Sequence, residues 1–138
     1  MTETLTLEIV TPAAVVYSAA VQMVTLPAVD GQIGILPRHV ALLTRIVPGE
    51  IIVRRDGHDE FLAVGEGLVD ITAHRVAIVT DMAIAAENID AARVEAARQR
   101  AEARLRDAIS DAEVATVNAS LARSLAQLRV KRRVHRPS

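Results

Sequence analysis

The stretch NIDAARVEAARQRAEARLRDAI, residues 88–109, is where the pattern of the chain changes. Val94, Ala97, Ala101 and Leu105 recur every three or four residues, which lines one face of an α-helix, and alanine is the best helix former. Asp90 stands at its start as an N-cap, its carboxylate placed to accept a free backbone N–H. Glu102 precedes Arg106 by four residues, a modest supporting pair. Next, SDAE (Ser110 to Glu113) matches a capping box and predicts a second helix. On it Val114, Val117, Leu121, Leu125 and Leu128 form a narrow apolar seam of the kind that packs on another helix. A break of a few residues between two such helices requires an antiparallel hairpin.

Upstream of this stretch the period is two. In TLTLEIV, Leu5, Leu7 and Ile9 alternate with polar residues, as in a half-buried strand that Pro12 ends. Further strands are expected around VVY, VQMVTL and QIGIL, separated by Pro27, Asp30-Gly31 and Pro37. Pro48-Gly49 makes a turn before EIIVRR, and Asp56-Gly57 between IIVRR and HDEFLAV is a strong hairpin signal. GLVDITA and RVAIVTDMAIA bring the total to eight to ten short strands, an antiparallel sandwich or barrel. The chain therefore divides into a β-rich part, residues 1–87, and a helical part, residues 88–138.

Charge divides at nearly the same place. Residues 1–85 carry ten Asp/Glu and five Arg, a balance of −5; residues 86–138 carry seven Asp/Glu and eleven Arg/Lys, a balance of +4. The sum is the net −1 of the whole chain, so two modules with different partners are expected. With one Tyr, one Phe and no Trp among 138 residues, the core must be aliphatic. No Cys is present, which excludes structural disulfides and thiolate metal sites. No apolar run reaches the roughly 18 residues of a membrane span, and MTETLTLEIV lacks the basic end of a secretory signal.

DGQIGILPRH, residues 30–39, sets glycines beside a cation, as phosphate-cradling loops do. A P-loop would need Lys and Ser/Thr at a helix start, whereas Gly31 and Gly34 are followed by Ile-Leu-Pro between strands. Turn geometry is the better reading. His39, with no Ser, Cys or carboxylate that can be paired with it, reads as a hydrogen-bonded structural residue. The four histidines have no metal-ligand spacing. No catalytic constellation emerges, so a non-catalytic protein is expected. Arg93, Arg100 and Arg104 share one narrow helix face, either a solvated, snorkelling edge or an anion site beside the helix start. The basic ending RVKRRVHRPS suits a salt-sensitive protein contact better than a nucleic-acid arm, because it has no interleaved aromatics.

Taken in order, GQIGILPRHVALLT, a hairpin ending GHDEF, NIDAARVEAARQRAEARL and SLARSLAQLRV resemble the epsilon subunits of bacterial F-type ATP synthases over essentially the whole chain. The resemblance implies a ten-stranded antiparallel β-sandwich followed by an antiparallel two-helix hairpin. It implies a central-stalk rotor subunit, peripheral to the cytoplasmic face of the bacterial plasma membrane. The sandwich would bind the gamma subunit and the c-subunit ring through Gly31, Gln32, Gly34, Pro37 and His39 at one end. In many relatives the position of Gln32 is acidic; Gln keeps hydrogen bonding and drops the charge. The hairpin would open toward the alpha/beta catalytic head and obstruct ATP hydrolysis through Arg123, Lys131, Arg132 and Arg133. Some relatives bind ATP at this hairpin. Ile89, Asp90, Arg93, Arg100 and Arg129 match their motif, while Val94 replaces its Ala and Leu125 replaces an Arg, so weak ATP binding at most is implied and no resident cofactor. The alternative is a free-standing sandwich adaptor whose basic helical tail grips nucleic acid.

Overall fold

The computed structural model describes residues 3–108 and 110–134. Ten strands come first: β1 (Leu5–Val10), β2 (Val15–Val21), β3 (Met23–Ala28), β4 (Gly31–Ile35), β5 (Leu42–Ile46), β6 (Gly49–Arg55), β7 (His58–Val64), β8 (Gly67–Ile71), β9 (Arg75–Thr80) and β10 (Ala83–Ala85). A short 3₁₀ turn, Ala86–Asn88, leads into α1 (Ala91–Arg106) and α2 (Asp111–Val134). The strands form two leaves. One runs β10-β7-β6-β3 with β4 on β3; the other runs β5-β8-β9-β1-β2; a bridge from Ala28 to Ile46 joins them. The sandwich and the helical hairpin are as the resemblance implies. All strand pairs are antiparallel except β1 with β9, which run parallel in register from Thr6 beside Arg75 to Val10 beside Val79.

The leaves pack face to face through aliphatic side chains, as the composition requires. Leu7, Ile9, Leu26, Ile35, Ile51 and Ile78 are fully enclosed, and each contributes about 1.5–3 kcal/mol by leaving water. Tyr17, one of the two aromatic residues, ties β2 to the other leaf: its hydroxyl donates to Glu60 at 3.1 Å, and Arg55 lies 5.7 Å over its ring. Burial, then the Glu60 charge, push this phenol up to about 12.

Two local expectations are corrected. Pro27 does not separate strands; it lies inside β3, where β3 passes from β6, paired up to Thr25, to β5, paired at Ala28. No ladder N–H is needed there, and the Pro27 carbonyl accepts from Val47 N at 2.9 Å. A strand not anticipated, β5, occupies LLTRI, whose alternation is hidden because Leu42 and Leu43 are both exposed.

The helix ends follow their caps. Asp90 accepts from Arg93 N at 3.1 Å and Ser110 Oγ from Glu113 N at 3.1 Å. Counting outward from the turn in antiparallel register sets Ala101 opposite Val117 and Val94 opposite Ser124. The seam holds at Val117 but fails at Leu125, which is 49 % exposed while Ser124 beside it is buried. The reason is that α2 is wedged between α1 on one side and β6 and β7 on the other, and Leu125 points out of the wedge.

Among the described residues the sandwich core contains none from the hairpin, whereas the second core joins Ala126 and Val130 to Ala63, Ala86 and Ile89. Residues 1–87 alone should therefore keep a cooperative thermal transition and exchange-protected strand amides. A molten fragment would show that the hairpin completes the first core.

Candidate functional site

Two leaves have two outward faces, and these differ. The outward face of β6, β7 and β10 lies under α2. That of β5, β8, β9, β1 and β2 is bare. On the bare face the registers align Arg45, Leu68, Val79, Val10 and Val15 into one row across five strands. Leu68 is 52 % exposed, Val79 60 % and Val15 60 %, and Leu43 stands nearby at 69 %. A single exposed valine is ordinary, but an aligned apolar row with a charge at its end marks an interaction face.

The expected rim set is not gathered at one end of the sandwich. Gly31 and Gln32 begin β4 beside Ala28, whereas Ile35 ends it beside Val24, about 13 Å of strand away. Pro37 and His39 follow at that far end. Gly31, with φ 126°, makes the tight turn only glycine takes readily. Gly34 is not in a turn but mid-strand, where a Cβ would lie 2.8 Å from the tip of Met23. His39 is half-buried, and its Nδ1 donates to the Val40 carbonyl at 2.6 Å.

The hairpin cations are tied down on the sandwich. Arg123 pairs with Asp81 at 3.4 Å, Lys131 donates to the Ala86 carbonyl at 3.2 Å, and Arg133 grips Glu50 with its guanidinium 5.6 Å over the Phe61 ring. Gln127 reaches Met82 Sδ at 3.1 Å. Arg132 is exposed and, with the hydrogen bond from Arg98 as the larger cause, helps hold Glu95 of α1 below the usual carboxylate range. Residues His135 to Ser138 of the basic ending lie outside the described residues. Neither the Asp81 nor the Glu50 contact was foreseeable from spacing, since each joins residues far apart in the chain.

The residues matching the ATP motif are divided. Asp90, Arg93 and Val94 line a cleft of about 310 Å³ with Ser124 and Gln127. Ile89, 3 % exposed, is packed into the second core and has no face for a ligand. Arg129 lies two residues beyond Gln127, hence about 160° around α2, and lines a different cleft with Arg133 and Glu50. Arg100 is exposed, two turns along α1 from Arg93, and outside the first cleft's lining.

The sandwich thus has one outward face under a seated helix pair and, on the other, an exposed apolar row bordered by Asp70, Glu8 and Arg75. Residues 4–86 match the family model of the ATP synthase delta/epsilon chain, beta-sandwich domain, and residues 87–132 match the long alpha-helix domain of the same chain. The chain is 38 % identical over 128 residues to the ATP synthase epsilon chain of Halorhodospira halophila, covering 91 % of each, and 41 % identical over 124 residues to that of Herpetosiphon aurantiacus, covering 90 % of this chain and 91 % of the relative. A chain of the Euglena gracilis mitochondrial ATP synthase, in a structure of OSCP, F1 and c-ring, has a similar fold (TM-score 0.76, 19 % identity, 91 % of this chain and 79 % of that one). So has a chain of the Tetrahymena thermophila central stalk and c-ring (TM-score 0.62, 15 % identity, 97 % and 98 %). The chain belongs to the ATP synthase delta/epsilon family. Nothing in these matches supports the nucleic-acid adaptor.

Val130 is fully buried between α2 and the sandwich. Val130→Asp should cost the seated hairpin about 2–4 kcal/mol. Amide exchange should then speed up in both helices while the strands stay protected; equal loss in strands and helices would show one cooperative unit.

Proposed function

We propose that the chain is the epsilon-type rotor subunit of the central stalk in a bacterial F-type ATP synthase, joining gamma to the c-ring and restraining ATP hydrolysis through its hairpin. It is non-catalytic and works peripherally at the cytoplasmic face of the plasma membrane. Membership of both segments in one family, in order and over nearly the whole length of curated relatives, carries the reading. In this reading gamma covers the apolar row of Leu68, Val79, Val10 and Val15, with His39 and Pro37 at its margin. The Gly31–Gln32 turn meets the c-ring by hydrogen bonding, without a charge. Arg123, Lys131, Arg132 and Arg133, once freed from the sandwich, meet acidic surface on the alpha/beta head, where several exposed cations acting together give a salt-sensitive bias.

Two measurements bear on it. Leu68→Asp with Val79→Asp should abolish co-purification with gamma while leaving the thermal transition of the chain in place, because both side chains point outward from the core. Retained gamma binding would move the interface elsewhere. For ATP, with Asp90 and Arg93 in one cleft and Arg129 in another, calorimetry should give an affinity no better than roughly millimolar, about −4 kcal/mol. A micromolar affinity would mean that the hairpin rearranges to assemble the site.

A further inference from the structure

Beneath the last turns of α2, β6 presents Glu50. Its side chain is 9 % exposed, deeper than any other ion-paired carboxylate among the described residues. One oxygen accepts from Arg133, and the other, Oε2, is buried without a hydrogen-bond partner. The side chain borders a cleft of about 370 Å³ between α2 and the turns at residues 27–32 and 47–49. The charged groups that face it are Arg133 and Arg129, both from α2. β7 offers Ala63 as its cross-strand neighbour; the two turns line the cleft with Pro27, Ala28, Gly31, Gln32, Val47, Pro48 and Gly49, while the carboxylate of the first turn, Asp30, is exposed and outside the lining.

This pair is lopsided. Arg133 is half-exposed, at 52 %, so it keeps much of its hydration and returns only a screened attraction. Glu50 has lost nearly all its water and has received one partner. An ionised carboxylate in that position is a cost to the docked hairpin, and lifting α2 removes the cost by readmitting water.

We propose that Glu50 is a proton-linked release for the hairpin: its ionised form works against the seated α2, and its neutral form lets α2 sit. The proposal rests on the reading that the hairpin leaves the sandwich. The sign follows from the environment. Burial, outweighing the pull of Arg133 and Arg129, raises the Glu50 carboxyl above its ordinary value in the seated state. In the released state Glu50 is hydrated and returns toward the usual glutamate value of about 4.3. The seated state thus binds the proton more tightly. Acidification through the window from the raised value down to the ordinary one favours seating, and above that window the seated hairpin carries the full cost. A simple salt-bridge latch gives the opposite sign, since protonation would undo it.

The test uses the full chain, which has no native Cys to interfere with labelling. Asp56→Cys in the β6–β7 turn and Asn118→Cys on the exposed side of α2 carry a donor and an acceptor, and energy transfer reports seating from about pH 8 to about pH 4. The expected result is a seated-to-released ratio that rises on acidification and levels off near the ordinary glutamate value of about 4.3. Glu50→Gln, which keeps a hydrogen-bond acceptor for Arg133 without the charge, should raise the ratio at pH 8 and flatten the profile. Val130→Asp serves as the released reference, with strand amide protection checking that every variant keeps its sandwich. If Glu50→Gln releases the hairpin, or leaves the pH profile as it was, the proposal is wrong while the mobile hairpin stands. If transfer is the same in all variants, Val130→Asp included, the hairpin does not leave and the functional reading falls with the proposal.

Discussion

Everything in this molecule depends on a geometric constraint: two leaves packed face to face always leave two faces pointing outward. The aliphatic filling between β1, β3, β6, β8 and β9 sets stability and is indifferent to partners. The outward faces are where partners can act. One is covered from within by α2, and the other is left to something outside the chain. The two therefore differ in what can cover them, a helix of the same chain on one side and, in the proposed reading, a partner subunit on the other.

The helical cover is built from weak parts. Its apolar centre is small, Ala126 and Val130 against Ala63, Ala86 and Ile89, and the rest is polar: Arg123 on Asp81, Lys131 on a carbonyl, Gln127 on a thioether, Arg133 on Glu50. An exposed ion pair such as Arg123 on Asp81 contributes only a few tenths to about 1 kcal/mol, and Arg133 on the buried Glu50 holds α2 least when Glu50 is ionised. A surface assembled this way can seat a helix and still let it go. In the proposed reading the cations that contact the sandwich are the same ones that would serve an acidic partner, so the two contacts would exclude each other.

How much of this could be read from the sequence varies with the range of the interaction. Caps are local, and Asp90 and Ser110 were legible because a capping side chain bonds a backbone N–H three residues on. Nine of the ten strands left a trace of alternation or a turn residue at their ends; β5 did not, because its outward side chains are apolar too. The same apolar character that concealed β5 is what makes its face suited to a partner. The rim set was misjudged as one cluster because ten residues look compact on paper, whereas β4 is extended and parts Gly31 from Pro37. Glu50 and Asp81 stayed invisible, because nothing in the spacing says which carboxylate a helix will cross. The Leu125 error had a similar source, since a seam drawn for one neighbour cannot show that a helix has two.

The parallel pairing of β1 with β9 also has a bearing on how the chain is made. Thr6 cannot find Arg75 until almost the whole β-rich segment has been synthesised, so β1 and β2 wait as a lone hairpin while the ribosome adds seven more strands. Such distant closure is slow, because a long loop must be ordered before any contact rewards it. The helices emerge only after that closure has become available. They arrive last, onto a surface whose own core is already filled by strand residues, so the sandwich need not wait for them.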